Sequence, residues 1–354
     1  MKALEEKDTA PVRGGEELDV PALASFLSDK LEGAGGAIEV EQFPGGHSNL
    51  TYMVRVGGSE YVLRRAPLGP LPPKAHDMAR EFRVLDAVHP FFPPAPKPYL
   101  LCEDPSVLGA VFYLMERRRG VVLRASIPEP WASLPDLPRM VSRAFLDCLV
   151  QLHSVDIVAH GLLPLGKPQG FVERQVRGWS ERWYHAMTEE VPAASRVITY
   201  LQNNLPPDGP PTLVHNDYKL DNLMLANEDP GRVEAVLDWE MTTVGDPLVD
   251  LGLALCYWDP PDKHVRAGPV PCLTTGPGWM TRQQLIEQYT RRMGRDMTFL
   301  PFHEVLGIFK LAVIVQQIYQ RWFRGQTGDE RFATFNVRVK SLMEGAARRV
   351  EEMA

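Results

Sequence analysis

The chain has 354 residues, of which 44% are hydrophobic, and its formal net charge is −7. A chain of this length and composition can form two lobes or domains whose cores need neither disulfides nor a structural metal. The acidic balance argues against nucleic acid as the main partner, because phosphate backbones are bound by basic surfaces.

Cysteine usage and the chain start bear on the cellular compartment. The cysteines are far apart, with no C-x-x-C pair: Cys102, Cys148, Cys256 and Cys272. This pattern predicts reduced thiols and a cytoplasmic location. Apolar runs such as LAVIV at 311–315 are far shorter than the roughly 20 residues of a bilayer span, so we expect no membrane partner. Residues 1–18 lack a signal-peptide core and predict a disordered leader.

Residues 19–115 predict a small lobe built on an antiparallel sheet. Asp19 is a candidate N-cap for its first helix. The predicted elements are a helix at 20–31, strands at 38–43, 50–56 and 60–66, a helix at 75–88, and strands at 98–103 and 110–116. The last strand changes abruptly from apolar to charged residues before Gly120, which predicts a hinge at 116–120.

The turn between the first two strands is a candidate phosphate-covering loop, comprising Gly45, Gly46, His47, Ser48 and Asn49. Glycines followed by a hydroxyl could direct backbone N–H groups and a side-chain donor at a phosphate. The same residues also suit an ordinary hairpin turn, and the turn alone does not decide between the two.

Arg64 alternates with Tyr61, Leu63 and Arg65 along the third strand, so we expect it on the opposite face of the sheet. It needs a partner there, because an unpaired buried charge is costly. Glu81, beside the apolar stripe of the following helix, could supply that partner. The alternative is a solvated helix glutamate.

Residues 121–354 predict a larger, mostly helical lobe, because apolar residues recur there at helical spacing. The predicted helices lie at 139–153, 171–187, 192–204, 281–292, 302–323 and 331–352. The unusually apolar helix at 302–323 is expected to be the buried centre of the lobe. The Pro- and Gly-rich segment 257–280 is either a substrate lid or an ordinary surface loop.

The helix at 171–187 carries Arg174 and Arg177, which are neighbours at a spacing of three. They could form an anion-binding wall of a substrate cleft. The alternative is a partly solvated helix whose tryptophans pack inward.

The stretch 212–240 has the order H-x-D-x4-N, followed by a strand that ends at Asp-Trp. Asp217 lies in a polar loop after a buried strand, where it could orient or deprotonate a hydroxyl. A hairpin would bring Asp238 back beside Asn222, and a carboxylate with an amide oxygen suits Mg²⁺. Such residues also occur in ordinary turns, but rarely in this order and spacing. Asp250, in the downstream GDPLVDLG, is expected to hold the backbone of the catalytic loop.

The sequence resembles the aminoglycoside phosphotransferase family, within the protein-kinase-like small-molecule kinases, over roughly residues 20–350. The branch it resembles is that of the kinase-like domains associated with acyl-CoA dehydrogenases. The most specific motifs are GGHSNLTY, YVLRR, REFRVL, YLMER, LVHNDYKLDNLML, VLDWEMTTVGDPLVDLG and FVERQVRGW. The resemblance implies an α+β, bilobal, protein-kinase-like fold with a small N-terminal antiparallel sheet lobe and a larger helical C-terminal lobe.

The resemblance also implies roles for individual residues. Asp217 matches the catalytic base, and Asn222 and Asp238 match the metal ligands. Glu81 matches the glutamate that pairs with a phosphate-holding lysine, and Arg64 replaces that lysine. Residues 43–49 would cover the triphosphate, while the hinge backbone would meet the purine at Met115, Glu116 and Arg117. Two departures from the family pattern are Arg64 and Asn216, which stands where the family's H-G-D has glycine.

The leading hypothesis is a Mg²⁺-dependent phosphotransferase that moves the γ-phosphate of ATP or GTP to a hydroxyl of a small molecule. Arg174, Arg177 and Glu240 are candidate substrate residues. The arginines, together with the resemblance, favour a hydroxylated acid or a hydroxyacyl-CoA. The alternatives are a nucleotide-binding module with little catalysis, and a kinase of an aminosugar or choline-like alcohol. No activation segment with A-P-E is recognisable, which disfavours a protein kinase.

Overall fold

The computed structural model describes residues 8–32, 36–44, 49–67, 77–124, 126–258 and 273–353. The chain divides into two compact units. Unit 1 comprises Met1–Val121 and Leu223–Glu240, and unit 2 comprises Val122–Asn222 and Met241–Ala354. The sequence-based division placed all of 121–354 in one lobe, whereas residues 223–240 belong to unit 1.

Unit 1 is built on a five-stranded antiparallel sheet in the order β1-β2-β3-β5-β4. Its strands are β1 (Ile38–Gln42), β2 (Leu50–Val56), β3 (Ser59–Arg65), β4 (Pro98–Cys102) and β5 (Phe112–Glu116). The β-branched and aromatic residues of these segments suit the pleated, half-buried surface of a sheet. The central position of β3 flanks Arg64 with Thr51 on one side and Tyr113 on the other.

The helices of unit 1 are α1 (Val20–Leu27), α2 (Met78–Val88) and α3 (Pro105–Leu108). Asp19 caps α1 by accepting from the N–H of Ala22, as predicted, and Asp77 caps α2 in the same way. The chain re-enters unit 1 as the hairpin of β8 (Leu223–Leu225) and β9 (Val233–Val236). The N–H of Val236 donates to the carbonyl of Pro94, which ties this hairpin to unit 1.

The predicted disordered leader is wrong for residues 8–18. Ala10 and Gln42 exchange backbone hydrogen bonds of 2.8 Å, which places this segment beside β1. The Glu16 carbonyl accepts from the Tyr52 hydroxyl at 2.6 Å and from the buried Arg65 guanidinium at 3.1 Å. These bonds to sheet residues order a polar segment that has no apolar periodicity of its own.

Unit 2 is mostly helical, as expected. Its helices are α4 (Glu129–Ala132), α5 (Leu137–His153), α6 (Phe171–Ala186), α7 (Pro192–Asn203), α8 (Leu248–Tyr257), α9 (Arg282–Met293), α10 (Leu300–Phe323) and α11 (Phe335–Glu351). The strands β7 (Thr212–Val214) and β10 (Thr243–Gly245) pair antiparallel within it, and β6 (Val121–Val122) lies at the division between the units. The antiparallel sheet of unit 1 and the helices of unit 2 confirm the predicted α+β class.

Helix α10 is the buried centre of unit 2, which confirms the expectation for 302–323. It packs against α6, α7, α8 and α11. By length and composition it could cross a bilayer, but 83% of its most apolar window is buried inside the protein. Its apolar surface is therefore used in packing against neighbouring helices.

Helices α8 and α10 approach closely at Gly252. A β-carbon at this position would lie 2.6 Å from the backbone carbonyl of His303 on α10. Only a residue without a side chain fits this crossing, because backbone atoms cannot move aside as a flexible side chain can. The glycine of the GDPLVDLG motif is therefore a packing residue.

We expect Gly252→Ala to lower the free energy of unfolding by about 1–3 kcal/mol through overpacking. Gly178→Ala, also mid-helix but with nothing within 4 Å of the added carbon, should leave stability unchanged or raise it by up to about 1 kcal/mol. Urea titrations of both variants measure the difference. Equal stability of the two variants would contradict the close approach.

Candidate functional site

The loop after β7 carries the predicted catalytic aspartate within unit 2. The Asp217 carboxylate accepts from Lys219 Nζ at 2.9 Å and 2.8 Å, one bond to each oxygen. Asn222 Nδ2 donates to the Asp217 carbonyl and to its Oδ2, both at 2.9 Å. Asp217 and Asn222 therefore meet, as their spacing predicted, and Lys219 places a positive charge beside them.

Asp250 on α8 fixes the backbone of this loop. Its carboxylate accepts from the N–H groups of His215 and Asn216, both at 2.6 Å. His153 Nε2 lies 3.2 Å from Asp250 Oδ2, and Tyr289 lies 2.8 Å from the other ring nitrogen of His153. Burial acts to raise the pKa of Asp250, but the His153 bond, nearby histidine charge and the His215 N–H hold it below the usual value. The expectation for Asp250 is confirmed.

Asn216 explains the departure from H-G-D. Its φ of 65° lies in the left-handed region, which favours glycine and which asparagine tolerates better than most residues. Asn216 Nδ2 also donates to the carbonyl of Met241 at 3.0 Å. Asn216 thus adopts a backbone conformation that favours glycine, and its side chain adds a hydrogen bond.

Unit 1 holds the other group of predicted residues, centred on Arg64. Arg64 Nη2 lies 3.3 Å from Glu81 Oε1 and 3.0 Å from Asp238 Oδ1. The Glu81 side chain is only 1% exposed, so the pair is buried as the strand pattern required. Asp238 has a φ of 68°, two residues after the end of β9. The predicted pairing of Arg64 with Glu81 is present.

The titration of this cluster reflects its burial. Burial raises the pKa of Glu81 to about 7 against the opposing charge of Arg64, with Asp238 and Glu240 adding to the rise. Burial alone would lower the pKa of Arg64, but Glu81, Tyr113 and Asp238 raise it above its ordinary value. Arg64 therefore stays charged, and Glu81 changes protonation near neutral pH.

Glu240 and Asn49 extend the same cluster. The Glu240 carboxylate accepts from Asn49 Nδ2 at 3.3 Å, and its carbonyl accepts from Arg80. The candidate substrate residue Glu240 therefore contacts the start of β2, where the predicted phosphate loop ends. Gly45, Gly46, His47 and Ser48 lie outside the described residues.

The residues predicted to meet the purine lie at the end of β5, with Met115 and Glu116 inside the strand and Arg117 directly after it. The Met115 side chain is buried, and the Glu116 carboxylate pairs with Arg118 at 2.8 Å. Arg117 binds Glu60 at 2.9 Å and Asp8 at 2.7 Å, so its side chain is engaged in ion pairs within unit 1. The Glu116 N–H donates to the Lys97 carbonyl at 2.7 Å, so this residue is also tied to unit 1 through its backbone.

The candidate substrate arginines of α6 differ in their surroundings. Arg174 donates to the carbonyls of Lys167 and Gln169, which anchors the start of its own helix. Arg177 is exposed. Most of the candidate lid at 257–280 lies outside the described residues.

Sequence reasoning missed Lys219 and Lys310. Lys219 follows Asp217 by two residues, and this spacing in a tight loop could have indicated the contact. Lys310 is a single lysine within the apolar run GIFKLAVIV, and a charge inside the most buried helix could have identified it.

Comparison with known proteins identifies the class. A model of the phosphotransferase enzyme family (APH) matches residues 39–268. The chain belongs to this phosphotransferase family and is a small-molecule kinase.

Curated relatives match along nearly the whole chain. Acyl-CoA dehydrogenase family member 11 of Rattus norvegicus is 37% identical over 350 residues, covering 96% of this chain and 44% of the relative. The Gallus gallus protein of the same name is 35% identical over 349 residues, with the same coverage of 96% and 44%. The chain thus spans less than half the length of these relatives.

Solved structures share the fold. A candidate aminoglycoside phosphotransferase from Ralstonia eutropha JMP134 has a TM-score of 0.80 and 31% identity, covering 95% of this chain and 99% of its own. Aminoglycoside phosphotransferase APH(4)-Ia, solved in a ternary complex with AMP-PNP and hygromycin B, has a TM-score of 0.57 and 18% identity, with coverage of 92% and 98%. The predicted kinase-like fold is confirmed.

We expect Asp250→Asn to destabilise the loop that carries Asp217, because an amide is a poorer acceptor for two buried N–H groups than a carboxylate. The free energy of unfolding should fall by about 1–3 kcal/mol. Hydrogen exchange at the His215 and Asn216 amides should accelerate beyond the rest of unit 2. Asp147→Asn, on the exposed side of α5, is the control, and unchanged exchange at both amides would contradict the role of Asp250.

We expect Arg64→Met to change the pH dependence of stability. The folded pKa of Glu81, about 7, lies above its ordinary value of 4.5, so its contribution is complete below pH 4.5 and is lost as pH rises through 7. Removing Arg64 raises this pKa further and extends the loss to higher pH. Thermal unfolding from pH 5 to 9 should show a steeper decline for Arg64→Met.

The matched control is Arg55→Met, on the same sheet but with a half-exposed side chain that pairs with Glu39 and Glu60. The double variant Arg64→Met with Glu81→Gln should remove the added slope. If the double variant keeps the steeper decline of thermal stability with pH, a group other than Glu81 causes that decline.

Proposed function

We propose that this chain transfers the γ-phosphate of ATP or GTP to a hydroxyl of a small molecule. The observation that carries the proposal is the Asp217 carboxylate, held by Lys219 and Asn222 in a loop that Asp250 fixes. A rigid carboxylate at this position suits orientation of a hydroxyl, and phosphoryl transfer depends mainly on positioning and electrostatics.

The proposed step is an in-line displacement. The acceptor oxygen forms a bond to the γ-phosphorus while the bond from that phosphorus to the β–γ bridging oxygen breaks. The hydroxyl proton passes to Asp217, and the nucleoside diphosphate leaves. Lys219, bound to both Asp217 oxygens, is placed to offset the local negative charge.

Asn222 and Asp238 are the proposed Mg²⁺ ligands. Among the described residues, no group of three or more His, Cys, Asp or Glu side chains is arranged to hold a metal. An amide oxygen and one carboxylate fit Mg²⁺ nevertheless, because this ion uses few protein oxygens together with substrate phosphates and water. Bound Mg²⁺ would supply charge neutralisation on the phosphates.

Arg64 is the proposed phosphate-holding cation, oriented by Glu81. Its planar guanidinium can bind two phosphate oxygens at once and cannot lose its charge. Support comes from the paired geometry within unit 1 and from the nucleotide complexes of the APH(4)-Ia structures.

The proposed acceptor is a hydroxylated acid or a hydroxyacyl-CoA. Support comes from the similarity to acyl-CoA dehydrogenase family members 10 and 11 and from the cationic side chains of unit 2. An aminosugar or choline-like alcohol is the competing class.

The test is release of the nucleoside diphosphate from ATP or GTP with a panel of hydroxyacyl thioesters, hydroxy acids, choline-like amines and aminosugars. We expect turnover of the anionic acceptors and its loss when Mg²⁺ is chelated. Asp217→Asn should lower kcat by about 10²- to 10⁴-fold, with nucleotide affinity nearly unchanged, whereas the exposed Asp229→Asn should match wild type. Turnover of only amines or aminosugars would contradict the acceptor class. Nucleotide binding without turnover of any acceptor would favour the non-catalytic module.

A further inference from the structure

Lys310 is a buried cation that finds no hydrogen-bond partner among the described residues. It lies in the middle of α10 and is 1% exposed. Within the part of the chain that the structure describes, its Nζ accepts or donates no hydrogen bond. A buried ammonium in this state loses its hydration without compensation. Such a cost is expected where the charge is kept for binding.

A second cation shares its surroundings. Lys310 Nζ lies 5.6 Å from the centre of the Trp179 ring on α6, and the Arg182 guanidinium lies 4.4 Å from the same ring. Arg182 is exposed to solvent, whereas Lys310 is buried. The Trp179 ring therefore contacts one cation at the surface and one in the interior. The Arg182 charge acts against the charged form of Lys310, and an anion bound beside the amine would offset that repulsion.

The negative groups nearby are already engaged. The charged and titratable groups that face Lys310 are Asp217 on the catalytic loop, Asp250 and Cys256 on α8, and Arg182 on α6. The Asp217 carboxylate binds Lys219, and the Asp250 carboxylate accepts from two backbone amides. Burial lowers the pKa of Lys310 to about 8 although both carboxylates favour its charged form.

Arg338 on α11 also has buried side-chain N–H groups in unit 2. Its Nε and Nη2 are buried and have no hydrogen-bond partner among the described residues. It interacts with Tyr257, whose ring also lies 5.3 Å from Lys219 Nζ. Unpaired donors thus occur on two helices whose neighbouring groups include Asp217 and its partner Lys219.

We propose that Lys310 binds an oxyanion of the acceptor molecule, a carboxylate or a phosphate, with Arg182, which contacts the same Trp179 ring, adding positive charge. The proposal rests on the proposed function, since it places this anion on the Asp217 side of the reaction. The proposed acceptor-binding residues are therefore Lys310 and Arg182 instead of Arg174 and Arg177. An acceptor carrying both an anion and a hydroxyl would then be oriented by Lys310 before transfer.

The test is calorimetric titration of the full chain with sodium sulfate and, separately, sodium acetate at constant ionic strength. Lys310→Met should bind at least about tenfold more weakly than wild type, because a charge-assisted hydrogen bond is lost. Lys340→Met, which removes an exposed lysine paired with Glu189, is the matched control and should bind like wild type. Lys310→Gln repeats the comparison in case the Met variant does not fold.

The two probes distinguish the source of the anion. Binding of sulfate alone indicates a phosphate group on the acceptor, and binding of acetate alone indicates a carboxylate. Sulfate affinity in wild type should fall by about tenfold per pH unit above pH 8, because the free amine loses its proton there. This dependence should be absent in Lys310→Met.

Two results would overturn the proposal: no saturable binding of either anion to wild type, or equal binding to wild type and Lys310→Met. Nucleotide binding and diphosphate release, measured on the same samples, separate this proposal from the kinase mechanism. Lys310-dependent anion binding without turnover would retain the anion site and reject the mechanism. If KM and kcat are the same for wild type and Lys310→Met, the kinase mechanism is retained and the anion site is rejected.

Discussion

A single buried carboxylate determines the conformation of the loop that carries Asp217. Asp250 accepts two backbone N–H groups at 2.6 Å and is itself held by His153. Charge-assisted bonds of this kind are short and strong, and a fully buried carboxylate would be unstable without them. The left-handed turn at Asn216, and with it the position of Asp217, follows from this anchor. Helix α8, which carries Asp250, is in turn seated on α10 through Gly252.

The two units hold different chemistry. Unit 2 contains the carboxylate and amide of the catalytic loop, together with cations that no described carboxylate satisfies. Unit 1 contains a buried guanidinium balanced by Glu81 and Asp238. Each group of charges is held by contacts within its own unit. A proposed ligand would replace a contact of Arg64 in unit 1 and would supply a partner for Lys310 in unit 2.

Local patterns predicted much of this structure. Alternation in β3 put Arg64 on the face that meets Glu81, and apolar spacing identified α10 as the centre of unit 2. Tertiary bonds decided what the sequence left open. The order of residues 8–18 depends on acceptors and donors supplied by β1, β2 and Arg65, and residues 223–240 join unit 1 through hydrogen bonding to Pro94. The contact between Lys219 and Asp217 required the geometry of a loop that has no periodicity.

The guanidinium of Arg64 has a consequence for how this protein can be studied and modified. In kinases with a lysine at this position, the amine is a nucleophile that acylating reagents and acetylation can neutralise. A guanidinium at the same place resists both and remains cationic at every accessible pH. Amine-directed reagents would therefore leave Arg64 unmodified.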